Sequence, residues 1–187
     1  MSALRVGILV LFIALVGCSG GSGAGFKADT FSDKDMCIVQ TEGEATICYG
    51  APRTDVEKIL GSGKESDLTN FTSYEDGIIN IAYRDDLVAA IGLGEDSKGN
   101  YKTARGAEAG MTKDELKKLY GKKHAIEARE QNLDYAYDNK NNKYVSDLTG
   151  QPPEELLQTY AVSVMFNEEG RARSIMLLDR KMAMLNS

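Results

Sequence analysis

Gly50-Ala-Pro-Arg-Thr-Asp-Val-Glu-Lys-Ile-Leu-Gly61 returns, shifted by 60 positions, as Gly110-Met-Thr-Lys-Asp-Glu-Leu-Lys-Lys-Leu-Tyr-Gly121. Both segments open and close on glycine, and their apolar residues coincide at Val56/Leu116, Ile59/Leu119 and Leu60/Tyr120. Positions i, i+3 and i+4 fall on one stripe of a helix. Pro52 and Thr112 suit a helix start, and Gly61 and Gly121 suit the left-handed residue that ends one. Helices of about three turns are marginal alone, so each needs something to pack on.

The surrounding sequence offers sheet. Phe71–Tyr74, Ile78–Arg84 and Leu87–Leu93 follow the first helix, with Asp76-Gly77 and Asp85-Asp86 at the turns. Alternation puts Ile79, Ile81 and Tyr83 on one face and Asn80 and Arg84 on the other. Leu133–Asp138, Tyr160–Asn167 and Arg171–Asp179 follow the second helix, with Glu168-Glu169-Gly170 as a turn; Val162, Val164 and Phe166 repeat the alternation. The pattern predicts an α+β fold of two tandem repeats, each a helix followed by an antiparallel three-stranded meander. The first repeat spans 36–94 and the second 95–187, with an insertion loop at 139–159 marked by Asn141-Asn142 and Gly150-Gln-Pro-Pro153. A connection that long is either a binding loop or a solvated excursion.

The N-terminus reads as an export signal. The apolar run from Val6 to Gly17 follows Arg5 and is too short for a span, which needs roughly 20 residues. Leu15-Val16-Gly17-Cys18 has the form of a bacterial lipobox, and Ser19-Gly20-Gly21-Ser22-Gly23 follows it. Residues 1–17 are then a lipoprotein signal peptide, and Cys18 becomes the lipid-bearing first residue of a protein held on the cell envelope. Ordinary signal cleavage with Cys18 as a plain thiol is the alternative. A diacylglyceryl group, usually with a third chain, would anchor the protein stably where a single chain would not. Residues 18–35 read as anchor and flexible tether.

Cys37 and Cys48 remain. An even pair in an exported chain favours a disulfide, against two reduced, partly buried thiols. Cys37–Cys48 reads as a β-hairpin turning at Glu42-Gly43, which sets the two cysteines opposite each other in a hydrogen-bonded pair with Cα atoms ~5.5 Å apart. Formal charge is −6, and −7 once Arg5 leaves with residues 1–17. Such an acidic chain does not favour nucleic acid.

Gly-Met-Thr-Lys-Asp-Glu-Leu at 110–116, closing on Gly121, resembles the Gly-Met-Thr signature of the SmpA/OmlA lipoproteins, and the tandem arrangement resembles the β-lactamase inhibitory protein. The resemblance implies helices packed on antiparallel sheet and envelope residence. There are departures: SmpA/OmlA proteins have one unit, Ala51-Pro52 stands where Met-Thr is expected, and the inhibitor is free and carries a disulfide per unit. No functional residue transfers by motif except Cys18.

Catalytic candidates are weak. His124 is the sole histidine, so neither a triad nor a histidine-based metal site can be assembled. Asp138-Asn139-Lys140-Asn141-Asn142 fails the calcium-loop template at its third and sixth positions. No catalytic residue, metal or cofactor is expected. Tyrosine, enriched at binding hot spots, gives the binding candidates: Tyr83, Tyr135, Tyr137 and Tyr144. Together these features predict a non-enzymatic, lipid-anchored module that binds another envelope protein through a sheet face or the 139–159 loop. Alternatives are an inhibitor of an extracytoplasmic enzyme, such as a β-lactamase or protease, and an envelope hydrolase.

Overall fold

The computed structural model describes residues 25–43, 45–66, 70–146 and 152–185. In chain order they form β1 (Cys37–Gln40), β2 (Thr46–Cys48), α1 (Arg53–Leu60), β3 (Lys64–Glu65), β4 (Phe71–Tyr74), β5 (Ile79–Arg84), β6 (Leu87–Leu93), β7 (Tyr101–Thr103), α2 (Lys113–Tyr120), β8 (Asn132–Asp138), β9 (Lys143–Val145), β10 (Thr159–Phe166), β11 (Ala172–Asp179) and α3 (Arg180–Leu185). Short 3-10 turns cover Asp33–Met36, Glu75–Gly77 and Glu95–Ser97.

Two separate helix-plus-meander repeats do not form. The described residues make a mostly antiparallel β structure of two sheets with short helices: β2-β1-β7, and an eight-stranded sheet in the order β3-β4-β5-β6-β11-β10-β8-β9. Two physical causes overturn the expectation. First, β6 and β11 pair from Ala90↔Leu178 to Leu93↔Ile175, so both halves share one sheet. Leu87–Leu93 is apolar on both faces and buried from Val88 on, which suits its place between β5 and β11. Second, Lys143–Val145, within the stretch read as an insertion loop, forms an edge strand against β8 with Tyr137↔Tyr144. β10 therefore returns on the other side of β8, and the second half is not a meander.

Both repeated segments are helical, and α2 is capped as its sequence suggests. The Glu115 carboxylate accepts from the Thr112 N–H at 2.8 Å while Thr112 accepts from the Glu115 N–H, a capping box. Exposed Glu115 has its pKa lowered mainly by that backbone hydrogen bond. α1 begins at Pro52 with no side-chain cap. Gly121 has φ 105° and a Cβ there would run into Asp29, so this position requires glycine.

The core lies on one face of the large sheet. Ile79, Ile81, Ile91, Leu93, Leu133, Val164, Ile175 and Leu177 meet Val56 of α1, Leu116 of α2 and Ile38 and Ile47 of the small sheet. On the other face one cross-strand row, Phe71–Ala82–Ala90–Leu178–Ala161–Ala136, consists largely of small residues. Met182 of α3 packs on the alanines of that row, which small side chains permit.

Candidate functional site

The densest polar and aromatic constellation lies where the N-terminal segment meets the body. Arg105 and Asp35 are 2% and 1% exposed and form an ion pair. The Arg105 guanidinium also donates to the carbonyls of Lys27 (2.7 Å), Thr30 (2.7 Å) and Leu119 (3.0 Å). Phe26 and Tyr120 lie over its faces at 4.9 and 5.2 Å. Burial opposes its charge most, but the Asp35 carboxylate outweighs burial and holds its pKa above the ordinary value. The Asp29 N–H donates to the Tyr120 carbonyl, and the Asp29 carboxylate accepts from the Lys123 N–H, both at 2.9 Å. Residues 27–35, in the stretch read as tether, are therefore fastened to the end of α2.

An aromatic seam continues from there. His124 stacks on Tyr144 (centroids 4.0 Å), Tyr144 meets Tyr137 edge-on (5.3 Å), Phe31 stacks on Tyr137 (4.2 Å) and lies 6.1 Å from Tyr160, and Tyr160 meets Tyr49 (5.0 Å). Tyr49 donates to the Asp179 carboxylate at 2.7 Å, and Arg84 binds the same carboxylate with both terminal nitrogens. Burial, then the bond to Asp179, raises the Tyr49 pKa. Burial pushes Tyr144 up to about 12.

The four candidate tyrosines are not an exposed patch. Tyr135 is buried at 4%, stacks on Tyr120 and donates to the Gly121 carbonyl. Tyr137 and Tyr144 are half-buried in the seam, and Tyr83 is half-buried with its hydroxyl 2.7 Å from that of Tyr74 and Arg53 over its ring. Tyr83 also lines a cleft of about 360 Å³ with Arg53, Glu65, Phe71, Arg84 and Met182. Its two arginines are already paired, Arg53 with Glu57 and Glu65, and Arg84 with Asp179. The tyrosines lie on the covered side because their strand positions alternate with the residues of the open face.

That open face is the surface left for a partner. The cross-strand row beside the alanine row reads Ser73–Asn80–Gly92–Met176–Ser163–Asp134. A shallow cleft of about 270 Å³ runs over it, lined by Phe71, Asn80, Gly92, Leu93, Gly94, Ser174 and Met176. A Cβ on Gly92 would come within 2.9 Å of the Met176 sulfur, so glycine lets Met176 lie across the strand. Burial raises the pKa of Asp134 against the lowering effect of its bond from Ser163. Met165 is 40% exposed on the same face. The sequence pattern put Asn80 on the face away from Ile79 and Ile81 but gave none of these residues a binding role, although Gly92 within an apolar strand was a signal of close approach.

Cys37 and Cys48 are joined by a disulfide. They pair as the hairpin predicted, but the ladder phase is opposite. The Gln40 N–H bonds the Ala45 carbonyl and the Tyr49 N–H the Met36 carbonyl, so 37 and 48 form a non-hydrogen-bonded pair with Cα atoms 4.0 Å apart. The ladder closes at Gln40 and Ala45 rather than around a two-residue turn. Asp138 accepts from Asn141 N and Nδ2, which lowers its pKa, the side-chain bond chiefly; the segment is an Asx turn. Cys18 lies outside the described residues, among which no three His, Cys, Asp or Glu side chains are grouped as metal ligands. No described helix is long and apolar enough to cross a membrane. No protein-family model, curated protein or solved structure matches this chain.

Proposed function

We propose that this chain is a lipid-anchored cell-envelope protein, held through Cys18, whose folded part binds another envelope protein without catalysing a reaction. The lipobox and a disulfide suited to an oxidising compartment support the location. The observation that carries the binding half is the open face. An eight-stranded sheet covers one side with two helices and a second sheet, yet leaves the mixed row Ser73–Asn80–Gly92–Met176–Ser163–Asp134, beside the one that α3 packs on, without a covering element. A partner segment offering apolar side chains to the cleft over Gly92 and Met176 would bury surface that the fold itself leaves wet.

Two experiments test this. A photo-crosslinking residue at Asn80 or Met176, in cells, should give discrete adducts with an envelope protein, and one at Lys58 of α1 should not. Adducts from Lys58 alone, or none anywhere, would refute the binding surface. Separately, Cys18→Ala should release a folded protein from washed membranes once the signal peptide is cleaved. A cleaved variant that stays anchored would remove the location.

A further inference from the structure

Lys27, Lys122, Lys123 and Lys143 are exposed and gather where the described chain begins. Lys27 follows Phe26, which lies on Arg105. Lys123 meets Asp29 through its backbone. Lys143 neighbours Tyr144, on which His124 stacks. Three separate parts of the fold, the N-terminal segment, the turn after α2 and edge strand β9, which are joined through Asp29 and through His124 on Tyr144, thus each bring an exposed lysine to this corner. The acids among them are Asp29, whose carboxylate accepts from the Lys123 N–H, and Asp138, which lies opposite Lys143 on β8. On a chain of formal charge −6 this is a local reversal of sign. Tyrosine beside lysine suits the boundary between water and lipid headgroups.

We propose that this corner of the molecule docks on an anionic lipid surface and sets the orientation of the anchored protein. The inference rests on Cys18 carrying the lipid. Residues 18–24 can then span at most ~25 Å even fully extended, so the corner around Gly25 and Lys27 cannot stray far from the headgroups. Each lysine close to an anionic surface adds attraction that salt screens. β9 and β3 are opposite edges of the eight-stranded sheet, ~34 Å apart at the usual strand spacing. A sheet standing on its β9 edge directs β3 away from the membrane and leaves the open face clear for a partner from the side.

The test uses the full lipidated chain in vesicles of phosphatidylcholine, with or without phosphatidylglycerol. Lysine acetylation is read by mass spectrometry, and Lys64 on β3 is the internal control. Lys122, Lys123 and Lys143 should react at least about threefold more slowly than Lys64 in anionic vesicles at low salt, and at parity in neutral vesicles or high salt. The double variant Lys122→Glu/Lys123→Glu, both exposed, should keep its melting temperature and lose the protection at Lys143. Equal labelling in both vesicle types overturns the proposal. Flotation with neutral vesicles reads the anchor separately: a protein that does not float lacks the lipid, and the location falls. The docking corner then falls with it, whereas a protein that floats yet labels equally in both vesicle types keeps the anchor and loses the corner alone.

Discussion

Arg105 places all five of its N–H donors inside the protein, on both Asp35 oxygens and the carbonyls of Lys27, Leu119 and Thr30. In the sequence it is one arginine in a turn, which reads as surface; nothing local shows that residues far away in the chain bring three carbonyls and a carboxylate to it. Removing one partner of a buried pair costs about 3–5 kcal/mol, because the other is left charged and unpaired. Arg105→Met should therefore lower unfolding free energy by about that amount in urea titrations, and Arg105→Met/Asp35→Leu should recover part of the loss. A single variant within ~1 kcal/mol of wild type would show that water replaces the guanidinium. Asp134 tests the opposite sign. Burial raises its pKa above the unfolded value of ~3.9. Between those two pKa values the folded state binds more protons than the unfolded, so stability falls as pH rises through that window. Asp134→Asn keeps an acceptor for Ser163 and removes the penalty. Its melting temperature should exceed wild type at pH 7, and the gain should vanish as the pH drops below ~4. A gain that is independent of pH would mean the carboxylate is not the cause.

At the scale of elements, legibility followed periodicity. Val56 and Leu116 sit buried on helices at the segments where the i, i+3, i+4 stripe put them, because a short amphipathic pattern with end signals constrains few alternatives. The hairpin register was readable too, since pairing of 37 with 48 needs only a turn centred between 42 and 43. Its hydrogen-bond phase was not, because a longer loop around the same centre leaves every partner unchanged and shifts the ladder by one. Edge strand β9 was illegible for a related reason: three residues, Lys143–Val145, carry no measurable alternation, and what holds them is the ladder with β8 and the ring contacts of Tyr144 with Tyr137 and His124. The disulfide should matter where the ladder is short. It closes a loop with a sequence separation of 11, for which loop-closure entropy gives about 2–3 kcal/mol. Cys37→Ala/Cys48→Ala should lose up to that in urea unfolding yet keep its far-ultraviolet circular dichroism, since β1 also pairs with β7. Loss of the sheet signal would mean that the bridge, and not the β1–β7 ladder, holds the small sheet.

For the whole molecule, the decisive contact is between β6 and β11, which the repeat pattern gave no reason to expect. Tandem units that merely stack would each keep a core and unfold by nearest-neighbour terms. Here Ile91 and Leu93 of the first half and Ile175 and Leu177 of the second belong to one buried cluster with residues of both α1 and α2. The first half alone would expose the β6 edge along Ala90–Leu93, an apolar strand with unpaired backbone groups, which favours aggregation over folding. Residues 36–94 expressed by themselves should therefore show no dispersed amide spectrum and should precipitate. The protein beginning at Cys18 and lacking lipid should unfold in one transition, with tyrosine fluorescence and circular dichroism coinciding. Native-state hydrogen exchange should then find the β6 and β11 amides opening only with the global free energy. Two separated transitions, or a soluble folded 36–94 fragment, would mean that each half closes its own core and that the β6–β11 ladder is a seam between independent units. If instead the ladder is the common spine, a partner seated over Gly92 and Met176 touches both strands that join the halves. Binding there should raise the temperature of that single transition, not of one half alone.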